Sequence, residues 1–261
     1  MSDFKNKFDK VSLLITHYNR SASLEILLKT FADQNIFFEE IIVSDDGSKP
    51  EYQTHLEELK KQYPFTLVTT PVNKGLGNNL NKGQLAVGTP YTLYVQEDCI
   101  PTKDFLIHFQ EALEIMEEDS SIDLIRLFAN SRYPYLRPYK KHFLEVLYKP
   151  WFLNPHKIYN YTDNPHLRRS NFFERFGKYK EGIPSDRTEY FMCISFIQNR
   201  GKALFFDNFK GLFTHENSAD EPSTVTRGSW RHGNNPLTAT LRWTYRIFKY
   251  NYDIHLGKRL K

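Results

Sequence analysis

Apolar and polar residues are arranged along the first half of this chain in blocks. Val11-Ser12-Leu13-Leu14-Ile15-Thr16 is a nearly continuous apolar run, the pattern of a central strand covered on both faces. The polar segment His17-Tyr18-Asn19-Arg20-Ser21 closes it. Leu24, Leu27, Leu28 and Phe31 then recur at helix spacing, with Ser21 as candidate N-cap. Ile41-Ile42-Val43 predicts a second strand, ending in Ser44-Asp45-Asp46-Gly47-Ser48. Ser48 and Glu51 have capping-box spacing, and Tyr52, Leu56 and Leu59 carry the next helix face. Phe65 to Thr69 predicts a third strand, followed by a Gly- and Asn-rich helix entry, Asn73-Lys74-Gly75-Leu76-Gly77-Asn78-Asn79-Leu80. Tyr91 to Val95 predicts a fourth, running into Gln96-Glu97-Asp98-Cys99. Thr102 can cap the helix that follows, whose lining is Phe105, Phe109, Ala112, Leu113 and Met116.

Strand and helix thus alternate four times in the first 120 residues. That order predicts an α/β fold with a mostly parallel, Rossmann-like sheet flanked by helices. Ile122 to Phe128 predicts a further strand, after which the pattern breaks. Residues 131–170 hold Pro134, Pro138, Pro150, Pro155 and Pro165, and suit loops and short strands over a cleft. A short helix is expected at Asn171 to Gly177, a longer one at Glu189 to Gln198 and a short strand at Ala203 to Phe206. In the tail, Leu237, Leu241, Tyr245 and Phe248 share one helix face, with Arg242, Arg246 and Lys249 elsewhere on its surface.

Composition narrows the functional classes. A hydrophobic share of 40% and a charged share of 25% are those of an ordinary globular chain, long enough for one full core. The formal charge of +4 is small, and Lys and Arg form no dense tract, so nucleic acid is excluded as a partner. Cys99 and Cys193 make neither a zinc pattern nor a disulfide framework. Met1 to Lys10 is polar and charged, unlike a signal peptide, and no apolar run reaches the length of a bilayer span. The expectation is a cytoplasmic protein, with peripheral contact at the inner membrane face through the basic, aromatic tail helix as one reading and packing on the core as the other.

In an open α/β sheet, ligands gather outside the carboxyl ends of the strands. Two adjacent acids there, Glu97 and Asp98, require compensation, and a hard divalent cation bridging to phosphate oxygens would supply it. Asp98 can alternatively serve as a helix-capping acid. Asp45-Asp46-Gly47-Ser48 is turn chemistry, or a carboxylate site for a uracil imide or ribose hydroxyl. Tyr18 fits rim packing or stacking on a nucleobase. Arg20 and Lys74 are candidate phosphate neighbours, or merely solvated.

The segments VSLLITHYNR, IIVSDDGSKPE, NKGLGNNLNKG and YTLYVQEDCIP together resemble the nucleotide-sugar-binding half of a family 2 glycosyltransferase of GT-A fold, like those that build bacterial surface polysaccharides. The resemblance covers residues 10–120 well and 165–220 more loosely. It implies one domain over 1–261, with a nucleotide-sugar half (1–128), an acceptor-side and catalytic-base half (129–236) and a C-terminal helix and tail (237–261). It also implies inverting, Mg²⁺- or Mn²⁺-assisted transfer from a nucleoside-diphosphate sugar, of UDP type, to a glycan or lipid-linked glycan. Thr16 and Tyr18 resemble the family's base-contacting residues, Asp46 the acid that recognises uracil or its ribose, and Asp98 the last Asp of its metal motif. Asp45, Arg20, Asn73, Lys74, Gln96 and Glu97 complete the expected donor site. Gln96 stands where the motif's first Asp is usual.

For the catalytic base, Glu189 resembles the second acid of the family's Glu-Asp pair, with Asp186 as competitor; either can instead favour the positive end of a helix. His215 resembles the His that some members place by the metal. Arg227 and Arg231, in a Ser/Thr/Gly-rich stretch, are candidates to close over the diphosphate, with acceptor binding or solubility as the other readings. Two other readings stand beside this one. The altered metal motif and broken Glu-Asp pair fit a binding protein without catalysis. A sugar-1-phosphate nucleotidyltransferase fits less well, since Thr16 to Ala22 offers Arg20 but no glycine.

Overall fold

The computed structural model describes residues 6–215 and 236–260. The first half alternates as its pattern predicts: β1 (Lys7–His17), α1 (Ser21–Asp33), β2 (Phe37–Asp45), α2 (Pro50–Gln62), β3 (Thr66–Val68), α3 (Leu76–Leu85), β4 (Tyr91–Gln96), β5 (Cys99–Pro101) and α4 (Phe105–Glu118). Next come β6 (Leu124–Arg126), β7 (Leu136–Lys140), β8 (Phe143–Val146), a 3₁₀ turn (Pro155–Ile158), β9 (His166–Arg169) and α5 (Phe172–Phe176). The chain continues through α6 (Ser185–Gln198), β10 (Ala203–Phe206), β11 (Phe213–His215) and α7 (Pro236–His255).

Nine strands form one sheet in the order β3-β2-β1-β4-β9-β6-β10-β8-β7. The pairs among β3, β2, β1 and β4 are all parallel. The mostly parallel expectation holds for this core, whereas the other half of the sheet is mixed. β9 runs antiparallel to both neighbours, and β8 to β10 and β7. The short strands expected in the proline-rich region are β7, β8 and β9, and they join the main sheet.

The apolar run of β1 is buried on both sides because each face has its own cover. Leu13 and Ile15 face a core closed by α1, α2 and α4, rich in Phe31, Phe38, Phe105 and Phe109. Leu14, with Ile42 and Tyr94, faces a second core closed by α3, α5 and α6 through Leu80, Phe172 and Phe196. Each such side chain contributes roughly 1.5–3 kcal/mol relative to exposure. Arg168 of β9 lies in the second core with no exposed surface. Its guanidinium donates to Gln84 Oε1 (2.6 Å from Nη2, 3.1 Å from Nε) and to the Tyr179 hydroxyl, and it lies 4.9 Å from the Phe172 ring centre. These contacts pin β9 to α3.

The expected helix caps are corrected by the structure. Ser21 is the first helical residue of α1 rather than its cap, and its hydroxyl meets His55 Nδ1 at 3.0 Å. Ser48 precedes α2 by two residues and turns toward Asp45 instead. Thr102 donates to the Gly211 carbonyl at 2.6 Å, tying the start of α4 to the segment before β11.

Two glycines are dictated by space. Gly47 has φ +67°, and a Cβ there would collide with the Val72 backbone. A Cβ on Gly77 would press into the Lys180 carbonyl, where α3 meets the chain leading to α6. Gly77→Ala is therefore expected to destabilise the fold by about 1–3 kcal/mol through overpacking. Urea unfolding of the variant beside the wild type measures this.

Candidate active site

The strand-exit edge is built around a carboxylate without exposed surface. Asp45 Oδ1 takes hydrogen bonds from His17 Nδ1 (2.8 Å) and the Ser48 hydroxyl, and Oδ2 takes them from the Ser48 N–H (3.1 Å) and the Thr69 hydroxyl (2.9 Å). Burial acts to raise this carboxyl, but the bonds from His17 and Ser48 outweigh it and hold the pKa at about 2. Of the expected donor-site residues, Asp45 is the one whose carboxylate is occupied by four bonds inside the turn.

Asp46 points to the loop entering α3. Its Oδ1 accepts the Lys74 N–H (2.9 Å) and its Oδ2 the Gly75 N–H (2.8 Å), while burial raises its carboxyl against both bonds. Asn73 and Lys74 themselves are exposed. Lys82 was not among the expected residues. Burial lowers its ammonium to about 8, opposed by the attraction of Asp46 and Asp45, and it donates to Asn79 Oδ1. The available signal was its i+3 spacing from Asn79, whose amide donates to the His17 carbonyl at 3.2 Å.

His17 relays the Asp45 cluster to the next charge. Its Nε2 accepts the Arg20 N–H at 3.3 Å, a pattern that assigns the ring proton to Nδ1, facing Asp45. The Arg20 guanidinium reaches Asp98 Oδ2 at 2.7 Å and lies 3.8 Å from Glu97 Oε1. Thr16 is buried and meets the Tyr94 hydroxyl at 3.0 Å, while Tyr18 is half-buried at the exit of β1. Gln96 and Glu97 are half-buried beside Asp98.

His215 arrives by a separate route. β5 and β11 form a two-stranded antiparallel ribbon in which His215 pairs with Cys99. His215 Nδ1 thereby lies 3.8 Å from Asp98 Oδ1, and Cys99 Sγ lies 3.7 Å and 3.6 Å from these two atoms. Burial would raise the Asp98 carboxyl, but His215 and Arg20 together hold it at about 2, so it is anionic at neutral pH. Asp98, Cys99 and His215 bring their ligand atoms close enough together to hold a divalent cation. A carboxylate with an imidazole suits Mn²⁺ better than Mg²⁺, which favours all-oxygen surroundings. Burial pushes the Cys99 thiol well up, leaving it a poor third ligand.

The same edge receives a second set of groups. Because β9 is antiparallel, its start lies where β4 and β6 end, and Tyr94 and Arg126 both register with His166. Just upstream, the Asp163 N–H donates to Glu189 Oε1 at 3.4 Å. Burial first, and the neighbouring Glu189 second, raise the Asp163 carboxyl well above its usual range. The buried Arg126 donates to the Tyr159 carbonyl at 2.7 Å, and burial lowers its guanidinium to about 10 against the attraction of Glu189. Arg126, Thr162, Asn164 and Glu189 line a cavity of about 270 Å³.

α6 starts at Ser185, so Glu189 lies in its second turn rather than at its beginning, and Asp186 is exposed in its first turn. Of these two acids, Glu189 reaches the cavity. Asp163 and Arg126 were also missed. The turn Asp163-Asn164-Pro165 was the one local sign of the former. Arg227 and Arg231 lie outside the described residues.

Parallel strand exits gathered around an anionic carboxylate, with a mixed acceptor-side sheet, define the GT-A type of nucleotide-sugar fold. Residues 12–189 match the family model for glycosyl transferase family 2, more than half of the chain, which therefore belongs to that family. The chain is 30% identical over 98 residues to the cholesterol galactosyltransferase of Borreliella burgdorferi, covering 38% of this chain and 27% of that protein. It is 29% identical over 94 residues to a poly-beta-1,6-N-acetyl-D-glucosamine synthase of Staphylococcus epidermidis, covering 36% and 23%. The matched stretch is thus less than a third of either relative's length. Among solved structures, S. aureus TarS in complex with UDP-GlcNAc superposes with TM-score 0.60 at 14% identity, over 94% of this chain and 73% of that one. The mannosyltransferase PcManGT from Pyrobaculum calidifontis, in complex with GDP-Man and Mn²⁺, gives 0.55 at 13%, over 95% and 70%. At such identities the likeness is one of fold.

The depressed Asp45 carboxyl makes stability depend on acid. Its contribution, about 2 kcal/mol, is complete above the ordinary value of 3.8 and is lost as pH falls toward about 2. Denaturant unfolding of wild type and Asp45→Asn across pH is expected to show a stability gap that is widest near neutrality and narrows through this window.

Proposed function

We propose that this chain is an inverting glycosyltransferase, moving a sugar from a nucleoside diphosphate of UDP type to a hydroxyl of a glycan or lipid-linked glycan. One observation carries this reading. A single sheet edge holds an anionic Asp98, between Arg20 and His215, and beside it the carboxyl pair Asp163 and Glu189. The complexes of TarS with UDP-GlcNAc and of PcManGT with GDP-Man and Mn²⁺ support a nucleotide-sugar donor and a divalent cation.

The nucleoside would lie over the exits of β1 and β2. Tyr18 stacks on the base, an interaction worth about 1–3 kcal/mol. Asp46 keeps lone pairs for an imide N–H or ribose hydroxyl beyond those used by Lys74 and Gly75, and Lys82 balances its charge. Thr16 acts from beneath through Tyr94. Asn73 and Lys74 line the approach of the diphosphate, and Gln96 and Glu97 accept or donate to sugar hydroxyls. Mn²⁺ or Mg²⁺ held by Asp98 and His215 would neutralise the departing diphosphate, with Arg20 adding fixed positive charge.

The acceptor occupies the cavity lined by Arg126, Thr162 and Asn164. Its hydroxyl attacks the anomeric carbon opposite the leaving diphosphate, which inverts that centre, and Glu189 takes the hydroxyl proton. Such general-base assistance is typically worth 10²–10⁴-fold. Burial and the adjacent Glu189 raise the Asp163 carboxyl, and Arg126 lies near enough to attract Glu189.

Asp98→Ala is expected to abolish Mn²⁺-stimulated donor turnover, measured as nucleoside diphosphate release. Unchanged Mn²⁺ stimulation would remove Asp98 from the metal. Glu189→Gln should bind nucleoside diphosphate normally in calorimetry while transfer falls by about 10²–10⁴-fold, whereas Asp163→Asn, which mimics a protonated acid, stays within roughly tenfold of wild type at neutral pH. A wild-type protein that binds donors and turns none over is a binding protein instead.

A further inference from the structure

The helix α7 uses one side to hold the protein and leaves the other bare. Its C-terminal half docks on α6, the helix that carries Glu189. Ile254 and Tyr250 pack with Ile158, Ile194 and Tyr190, and Gln198 donates to the Asp253 carbonyl at 2.9 Å. The opposite side carries Leu241, Tyr245, Phe248 and Tyr252, spaced by four, three and four residues, so that they fall on one line along the helix, and Leu256 follows in the turn just past its end. Each is 59–76% exposed. This is the face that the spacing of Leu241, Tyr245 and Phe248 predicted, now seen turned to solvent instead of packed on the core. The side chain of Leu237 lies outside the described residues.

The stripe is roughly 22 Å long at 1.5 Å per residue. Exposed apolar surface of that extent on a globular protein marks a binding face. Its flank identifies the partner. Arg242 and Arg246 each follow a stripe residue by one position and flank it with positive charge, while Lys249, placed likewise after Phe248, turns to Asp253 and the Tyr190 hydroxyl. Asp253, the only acidic residue of α7, is engaged by Lys249 and the Tyr190 hydroxyl. Lys258 and Arg259 follow, both exposed. A neighbouring loop adds exposed Trp151 and Leu153. That loop is held against α7 by Tyr148, whose hydroxyl meets His255 Nε2 at 3.0 Å, and by Lys157, which bridges the Pro150 carbonyl and Asn251. Among the described residues no helix is long and apolar enough to cross a membrane. Two copies packed through the stripe would bring their flanking arginines together, which disfavours a second chain as occupant.

The geometry points to α7 as an interfacial helix that lays its Leu241–Leu256 stripe into the surface of an anionic lipid bilayer. Aromatic and leucine side chains enter the boundary between headgroups and acyl chains, and the adjoining arginines meet lipid phosphates. Since α7 lies on α6, such docking holds the Glu189 cavity at the membrane surface, within reach of a lipid-linked acceptor if the glycosyl-transfer reading stands.

Flotation of the full chain with phosphatidylcholine vesicles, with and without phosphatidylglycerol, tests this without any enzymatic readout. The wild type is expected to float with the anionic vesicles and far less with phosphatidylcholine alone. Tyr245→Ser with Phe248→Ser should lower partitioning by on the order of a hundredfold. Arg242→Gln with Arg246→Gln should lower it by roughly thirtyfold on anionic vesicles only. Thermal unfolding by circular dichroism should leave both variants near the wild-type midpoint, since Tyr245, Arg246 and Phe248 are exposed and Arg242 is half-buried on the helix surface, where its Nε donates to the Thr238 carbonyl. The inference is overturned if the wild type ignores both kinds of vesicle or if the serine variant floats undiminished. It is also overturned if sedimentation reveals a dimer that the serine variant breaks while vesicles go unbound. Nucleoside diphosphate release in solution does not enter these outcomes, so the inference and the proposed activity fail separately.

Discussion

A carboxylate sealed from water organises this protein. Asp45 survives as an anion in the interior because His17, Ser48 and Thr69 surround it with donors, drawn from the ends of β1, β2 and β3. Satisfying that charge fixes the imidazole of His17, whose other nitrogen receives the Arg20 N–H, and Arg20 in turn holds Asp98. The conserved quantity along this chain is charge balance. A buried carboxylate is tolerable only with its donors in place, so the exits must meet before the surface-facing residues acquire their positions.

The parallel core was legible because burial on two faces leaves strong marks in a sequence. β1, β2 and β4 read as apolar runs, and α1 and α4 as helical stripes. The candidate site was legible where it sits directly at a strand end, as with Asp46 and Asp98. It was not legible where position depends on distant pairing. Asp163 lies by Glu189 only because β9 inserts antiparallel beside β4, and no local periodicity records a strand direction. Asp45 and Asp46, adjacent in sequence, divide between interior and loop because successive residues leaving a strand point to opposite sides. The four-bond environment that distinguishes them is tertiary. Caps failed for a related reason: Ser21, Ser48 and Thr102 had nearby tertiary acceptors that competed with their own helices.

The two rims of the cleft differ in how they handle charge. Around Asp98, Arg20 and His215 approach from two directions, and the carboxyl is driven down. Around Glu189, a second carboxyl approaches in a desolvated place, and that of Asp163 is driven up. That contrast between neighbouring pairs is how a protein assigns electrostatic and proton-transfer roles with the same side-chain chemistry. It arises from backbone topology, since the first pair depends on the β5–β11 ribbon and the second on β9.

The insertion of β9 between β4 and β6 also bears on how the protein is made. During synthesis, β4 and β6 emerge well before the strand that separates them. Until then the nascent chain carries two open strand edges with matching hydrogen-bonding potential, a state prone to mispairing and aggregation. Four residues, His166 to Arg169, later fill that slot from within, and their arginine anchors in the finished core. Ribosome-bound intermediates ending before β9 are therefore the stage at which this fold most needs chaperone protection.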